Sequence, residues 1–179
     1  MEPCLECGFA PEAVPVIEAP RLIRRLTRLH CDWLLGVAAA ESGDAAIRMR
    51  PRKGTWSPLE YTAHVRDVYA LFDRRIQAIL KKPGSELEIV DHNMAVAEGA
   101  YNRLTVPALA EELMVCADRL ATTLENIRPW QWSLRGFRGG DSRTIEEIAK
   151  RAVHEGRHHL MDVERMSASW SENALRRSP

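Results

Sequence analysis

The stretch from Ser57 to Gly84 constrains the fold more than any other part of the chain. It opens on Ser57, Pro58 and Glu60, which supply an N-cap, a first-turn proline and the acidic partner of a capping box. Tyr61, Val65, Val68, Tyr69, Phe72, Ile76, Ile79 and Leu80 then recur at helical spacing, and Lys81-Lys82-Pro83-Gly84 closes the run with cations, a breaker and a flexible residue. A long helix with one apolar stripe draws its stability from packing that stripe on other elements, so it demands partners.

The partners are legible in the same way. Leu22, Ile23, Leu26, Leu29, Trp33 and Leu34 predict a helix up to about Ala40, ended near Gly43. Leu109, Leu113, Val115, Cys116, Leu120 and Leu124 predict an inward stripe on a helix from about Thr105 to just before Pro129, with Pro107 in its first turn. A second capping box, Thr144 with Glu147, opens a last helix running to about Met166, with Ile145, Ile148, Ala149, Ala152, Val153, Gly156, Leu160 and Val163 as its stripe. Four amphipathic helices predict an all-α, up-and-down four-helix bundle. The excursions between them carry one helical turn after Asp44, a short helix within Asp91 to Tyr101, and a hairpin or irregular segment from Trp130 that closes at Gly139-Gly140-Asp141.

With 179 residues, 45% of them hydrophobic, the chain fits one domain with a sizeable core. Its 25 Lys and Arg balance 25 Asp and Glu, which argues against a field that would draw it onto nucleic acid or an anionic membrane. The Arg48, Arg50, Arg52, Lys53 cluster reads as solvated surface. No apolar run reaches the length of a membrane span and the N-terminus lacks the pattern of a signal peptide, so the expected location is the cytoplasm. Residues 1–18 are expected to form a flexible extension, 19–168 the helical domain and 169–179 a tail. Cys4, Cys7, Cys31 and Cys116 are expected as reduced thiols. The Cys4-x-x-Cys7 pair offers half a zinc knuckle or a redox couple, but the chain lacks a second cysteine pair for a four-sulfur site. Trp130 and Trp170, read as exposed, leave room for a homodimer without requiring one.

The chemistry concentrates in His154-Glu155-Gly156-Arg157-His158-His159. Residues four apart share a helix face, so His154 and His158 can present two imidazoles to one divalent ion, and a usable site then needs a further ligand. One source is the zinc-protease pattern H-E-x-x-H, with Glu155 as general base. No G-x-x-H follows His158, however, and the downstream carboxylates are Asp162, Glu164 and Glu172. The other source is His64, on the flank of the Ser57 helix beside Glu60, Asp67 and Leu71. On the helical wheel His154 and His158 fall opposite the aliphatic stripe and His159 falls within it, so a solvated histidine face remains an open reading. His30 and Cys31 lack partners at ligand spacing and read as packing or surface residues; His92 reads as an exposed loop histidine.

The string from Trp56-Ser57-Pro58-Leu59-Glu60 through His64 to Asp67, taken with His154-Glu155-x-x-His158-His159-Leu160-x-Asp162, resembles the DinB-like superfamily of four-helix metalloproteins. That superfamily includes thiol-dependent S-transferases and the mycothiol-dependent maleylpyruvate isomerase. The resemblance implies a metal held by His64, His154 and His158 with water completing the shell, zinc or nickel as the ion, and His159 in a packing or supporting role. It also implies a low-molecular-weight thiol such as mycothiol or bacillithiol as co-substrate, an electrophilic small molecule as its target, and S-transfer or thiol-assisted isomerisation as the reaction. Arg151 stands where the family pattern leads one to expect an aromatic residue. A metal-dependent hydrolase and a non-catalytic metal-binding or stress-related bundle are the alternatives.

Overall fold

The computed structural model describes residues 1–98 and 101–177. Six helices carry the fold: α1 (Ala19–Ala38), α2 (Gly43–Arg48), α3 (Pro58–Lys81), α4 (His92–Glu98), α5 (Val106–Glu125) and α6 (Ile145–Arg177). A two-stranded antiparallel hairpin, β1 (Arg135–Arg138) with β2 (Asp141–Thr144), precedes α6. Gly139 and Gly140 form its two-residue loop with φ of 58° and 91°, the left-handed backbone that glycine adopts without a Cβ penalty and that such tight hairpin loops require.

Both capping boxes form. Ser57 Oγ accepts from the Glu60 amide at 3.2 Å and the Glu60 carboxylate accepts from the Ser57 amide at 2.8 Å. Thr144 and Glu147 exchange the same pair of bonds at 3.1 and 2.8 Å. Arg50 stays on the surface, its side chain 47% exposed, and from there clamps the buried Glu60 carboxylate with two bonds of 2.7 and 2.5 Å.

The four long helices form the bundle. α1 packs against α5 and α6, and α3 packs against the same two, so α1 and α3 lie diagonally across the core. That arrangement makes α3 and α6 neighbours, which positions the functional residues. Ile23 and Leu34 of α1, Tyr69 and Ile76 of α3, Leu113 and Leu120 of α5, and Ile145 and Ala149 of α6 are all fully buried. Of the α5 residues expected inward, Val115 is 52% exposed, since it steps off the Leu109–Leu113–Leu120 stripe by half a turn. No helix among the described residues is long and apolar enough to cross a membrane.

Two differences from the sequence expectation bear on function. The opening segment is packed: Phe9 is 1% exposed within the main core, and Arg157 of α6 donates to the Cys7 carbonyl at 3.0 Å. In addition α6 continues to Arg177, past the expected end near Met166. The Trp170 side chain lies outside the described residues, whereas Trp130 is 60% exposed.

Candidate metal centre

α3 and α6 meet along the face where His64 points from one helix and Glu155 and His159 from the other. His64 Nε2 lies 3.6 Å from Glu155 Oε2, and His159 Nε2 lies 3.4 Å from the same oxygen. Among the described residues these three form a set whose donor atoms all lie within 4.8 Å of one another. Two ligands, each about 2.0–2.1 Å from a tetrahedral ion, stand roughly 3.3 Å apart, so the spacing fits a shared divalent cation. The donor types fit as well, because two imidazoles and a carboxylate form a common catalytic set for zinc and related metals.

The surroundings hold the set in place. His159 Nδ1 is 2.9 Å from Asp162 Oδ2, leaving Nε2 to face Glu155. Trp56 packs against His64 with ring centres 5.0 Å apart and Tyr61 against His159 at 5.1 Å, both pairs tilted, and His92 of α4 meets His64 edge-on at 4.7 Å. Burial opposes charge on both partners of the Glu155–His159 contact, yet the pairing prevails. Bonds to His159 and His64 hold Glu155 well below the usual carboxylate range, and Asp162 and Glu155 lift His159 to about 9.

His154 and His158 go elsewhere. One residue along an α-helix is a rotation of about 100°, so the 154/158 face and the 155/159 face of α6 point in different directions. The 155/159 face turns to α3 and His64, whereas the 154/158 face turns to the N-terminal segment, where Cys4, Cys7, His154 and His158 form a second set within the same 4.8 Å limit. The structure therefore divides the expected His64, His154, His158 grouping between two clusters, and brings in Glu155 and His159 instead. The wheel position of His159 inside the aliphatic stripe was the signal for this. His92, read as an exposed loop residue, is half-buried against His64, brought there by the α4 excursion. His30 is a packing residue as expected, fully buried with Nε2 at 2.9 Å from the Gly156 carbonyl.

A cleft of about 430 Å³ opens beside Glu155 and His92. Its apolar wall is Val68, Phe72, Leu87 and Ile148, and four guanidinium groups, Arg75, Arg138, Arg143 and Arg151, line it together with Met1 and the carboxylates of Glu2 and Glu147. Arg151 Nε also approaches Glu155 Oε1 at 3.4 Å. Arg138 Nε is buried without a hydrogen-bond partner, and crowding by burial and by Arg138 lowers Arg75 to about 10.

Residues 21–163 match the family model of the DinB superfamily. The chain belongs to that superfamily. Among solved structures it is similar to YfiT from Bacillus subtilis, described as a probable metal-dependent hydrolase with an unusual four-helix bundle topology. That match has a TM-score of 0.77 at 13% identity and covers 86% of each chain. It is also similar to the mycothiol-dependent maleylpyruvate isomerase, with a TM-score of 0.66 at 17% identity, covering 86% of this chain and 62% of that one, and to a histidine-to-alanine variant of the same isomerase at 16%. At these identities the structural likeness speaks for the fold. No curated protein matches the chain in sequence.

Proposed function

We propose that this DinB-superfamily protein is a metal-dependent cytoplasmic enzyme that joins a low-molecular-weight thiol to an anionic electrophile, for S-transfer or thiol-assisted isomerisation. The observation that carries the reading is the convergence of His64, Glu155 and His159, with Glu155 also in the wall of an arginine-rich cleft. In this reading His64 holds a divalent ion, zinc or nickel, from α3, and Glu155 and His159 hold it from α6. When bound, such an ion lowers the pKa of a thiol or water and polarises a carbonyl.

The chain's own residues account for the rest. Arg75, Arg138, Arg143 and Arg151 gather positive charge around a partly apolar cleft, which suits a small molecule carrying one or two carboxylates, since planar guanidinium groups match carboxylates two bonds at a time. His92, in the lining of that cleft and outside the three-donor set, is placed to take or return a proton. Trp56 and Tyr61 cover the imidazoles and limit water. The mycothiol-dependent relative supports a thiol co-substrate. YfiT supports a second reading, metal-dependent hydrolysis. Within that reading the zinc-protease assignment of Glu155 as free base is disfavoured, because Glu155 stands between two imidazoles as a third donor.

The test is turnover by metal-loaded protein on a panel of thiols and carboxylated electrophiles, with His64→Ala as the comparison and circular dichroism to confirm its fold. Turnover that needs both metal and thiol, and disappears in His64→Ala, is the expected result. Turnover in the absence of thiol would assign hydrolysis, and tight metal binding without any turnover would make the protein a binding module.

A further inference from the structure

Cys4 and Cys7, which the reading above does not use, meet His154 and His158 in a second donor set. Cys4 Sγ lies 3.5 Å from His158 Nδ1, and His158 Nε2 faces the Glu6 and Asp162 carboxylates at 3.6 and 3.8 Å. One ring nitrogen thus points at the sulfurs and the other at carboxylates, the orientation that supporting carboxylates give to a histidine ligand. His154 Nε2 is buried without a hydrogen-bond partner, and its ring packs tilted against Phe9 with centres 5.3 Å apart.

The loop that carries the cysteines has a shape that matters. The Cys4 amide donates to the Phe9 carbonyl at 2.8 Å and the Gly8 amide to the Cys4 carbonyl at 2.9 Å, with Gly8 in the left-handed region at φ 65°. This tight reversal directs the backbone amides of Cys7 and Glu6 at the Cys4 sulfur and that of Phe9 at the Cys7 sulfur. Arg157 and Arg165 of α6 then tie down the loop through the Cys7 and Glu6 carbonyls, at 3.0 and 3.3 Å.

We propose that Cys4, Cys7, His154 and His158 form a structural zinc site that fastens the N-terminal segment to α6. Two thiolates from a C-x-x-C turn and two imidazoles one helical turn apart make up a closed four-ligand shell, and a mixed sulfur–nitrogen shell of this kind selects zinc. The second pair that the cysteines lack in sequence is the histidine pair. The site lies beside the His64–Glu155–His159 set, since the His158 and His159 rings are 5.3 Å apart and Asp162 faces both, but it shares no ligand with that set.

The test is metal content and cobalt spectroscopy on the full chain, purified under reducing conditions with zinc supplied. Two equivalents of zinc are expected, falling to one in Cys4→Ser/Cys7→Ser and to one in His64→Ala/His159→Ala. Cobalt-loaded His64→Ala/His159→Ala keeps the near-ultraviolet thiolate-to-cobalt charge-transfer band, and Cys4→Ser/Cys7→Ser loses it. His158→Ala, which retains both sulfurs, weakens zinc retention against a chelator by at least tenfold and serves if the double cysteine variant fails to fold. One equivalent lost in the cysteine variant but kept in His64→Ala/His159→Ala upholds this site and removes the proposed catalytic centre. A cysteine variant that binds as much zinc as the wild type, whether one equivalent or two, overturns the structural site. A Cys4–Cys7 disulfide in the zinc-supplied protein, or cobalt-loaded wild type without the thiolate band, also overturns it.

Discussion

His159 Nδ1 sits 2.9 Å from Asp162 Oδ2, one turn further along α6, and this contact decides which nitrogen of His159 faces Glu155. A carboxylate that accepts a hydrogen bond from Nδ1–H leaves Nε2 as the nitrogen whose lone pair a metal at the site would take. In Asp162→Asn the amide can donate as well as accept, so that tautomer is no longer enforced. Affinity for zinc at the His64 set is expected to drop about 10–100-fold, as is usual for loss of such a supporting group. Chelator competition measures it in a Cys4→Ser/Cys7→Ser background, where the neighbouring donors do not contribute. An unchanged affinity would mean that Asp162 does not orient the ring.

Ser57 does more than cap α3. Its hydroxyl accepts from the Glu60 amide and donates to Asn102 Oδ1 at 2.7 Å, tying the helix start to the segment before α5, and Ser57 is fully buried. Ser57→Ala removes the cap and leaves the Asn102 oxygen short of a donor. A loss of about 1–2 kcal/mol in urea-derived stability is expected, at the upper end for an N-cap. The matching exposed box at Thr144 has no third partner of this kind among the described residues, and Thr144→Ala should cost about half as much.

These two boxes also show what the sequence makes legible. Ser57-Pro58-x-Glu60 and Thr144-x-x-Glu147 are local devices whose hydrogen bonds close within one turn, so their spacing determines the geometry. The same holds for the apolar stripes and for the Gly139-Gly140 loop. The division of the α6 histidines is different in kind. The helical wheel shows that residues 154 and 158 occupy one face and 155 and 159 the next, but not which face meets α3. That depends on α1 and α3 lying diagonally and on a long-range partner, the Cys4–Cys7 loop, claiming the other face. His92 was hidden for the same reason, because the Ser85 to Asn102 segment has no period from which its packing could be read.

His30 gives the fold a sensitivity to acid. It is fully buried, its Nε2 donates to the Gly156 carbonyl and its Nδ1 has no hydrogen-bond partner. Burial lowers it to about 4 from an ordinary 6.5. The folded state thus prefers neutral imidazole, and the unfolded chain takes up the proton first. The stability is complete above 6.5 and is lost as pH falls from there through about 4. The full difference is on the order of 3 kcal/mol, at 1.36 kcal/mol for each pKa unit. Stability measured from pH 7 to pH 4 should fall more steeply for the wild type than for His30→Gln, which keeps a donor for Gly156 and cannot titrate. Parallel curves would remove His30 as the source.

Gly156, which supplies that carbonyl, sets two principles against each other. It lies inside α6, where replacing glycine with alanine ordinarily stabilises a helix by about 1 kcal/mol. A Cβ at this position, however, would stand 2.2 Å from the Tyr69 hydroxyl and 3.4 Å from Leu26 Cδ1. Tyr69 is fully buried in the core, so its ring has no open space to retreat into. The close approach of α6 to α3 at this point also brings Glu155, the preceding residue, to His64. Gly156→Ala must therefore push the two helices apart or displace the Tyr69 ring. Overpacking of this sort typically costs about 1–3 kcal/mol, which exceeds the propensity gain. The variant is expected to be less stable in urea than the wild type. In the Cys4→Ser/Cys7→Ser background it should also bind zinc more weakly, because a separation of α3 from α6 acts directly on the His64–Glu155 spacing. Gly156→Ala with Tyr69→Phe, which removes the clashing oxygen, should recover part of both losses. A stabilised Gly156→Ala would show that propensity outweighs the contact.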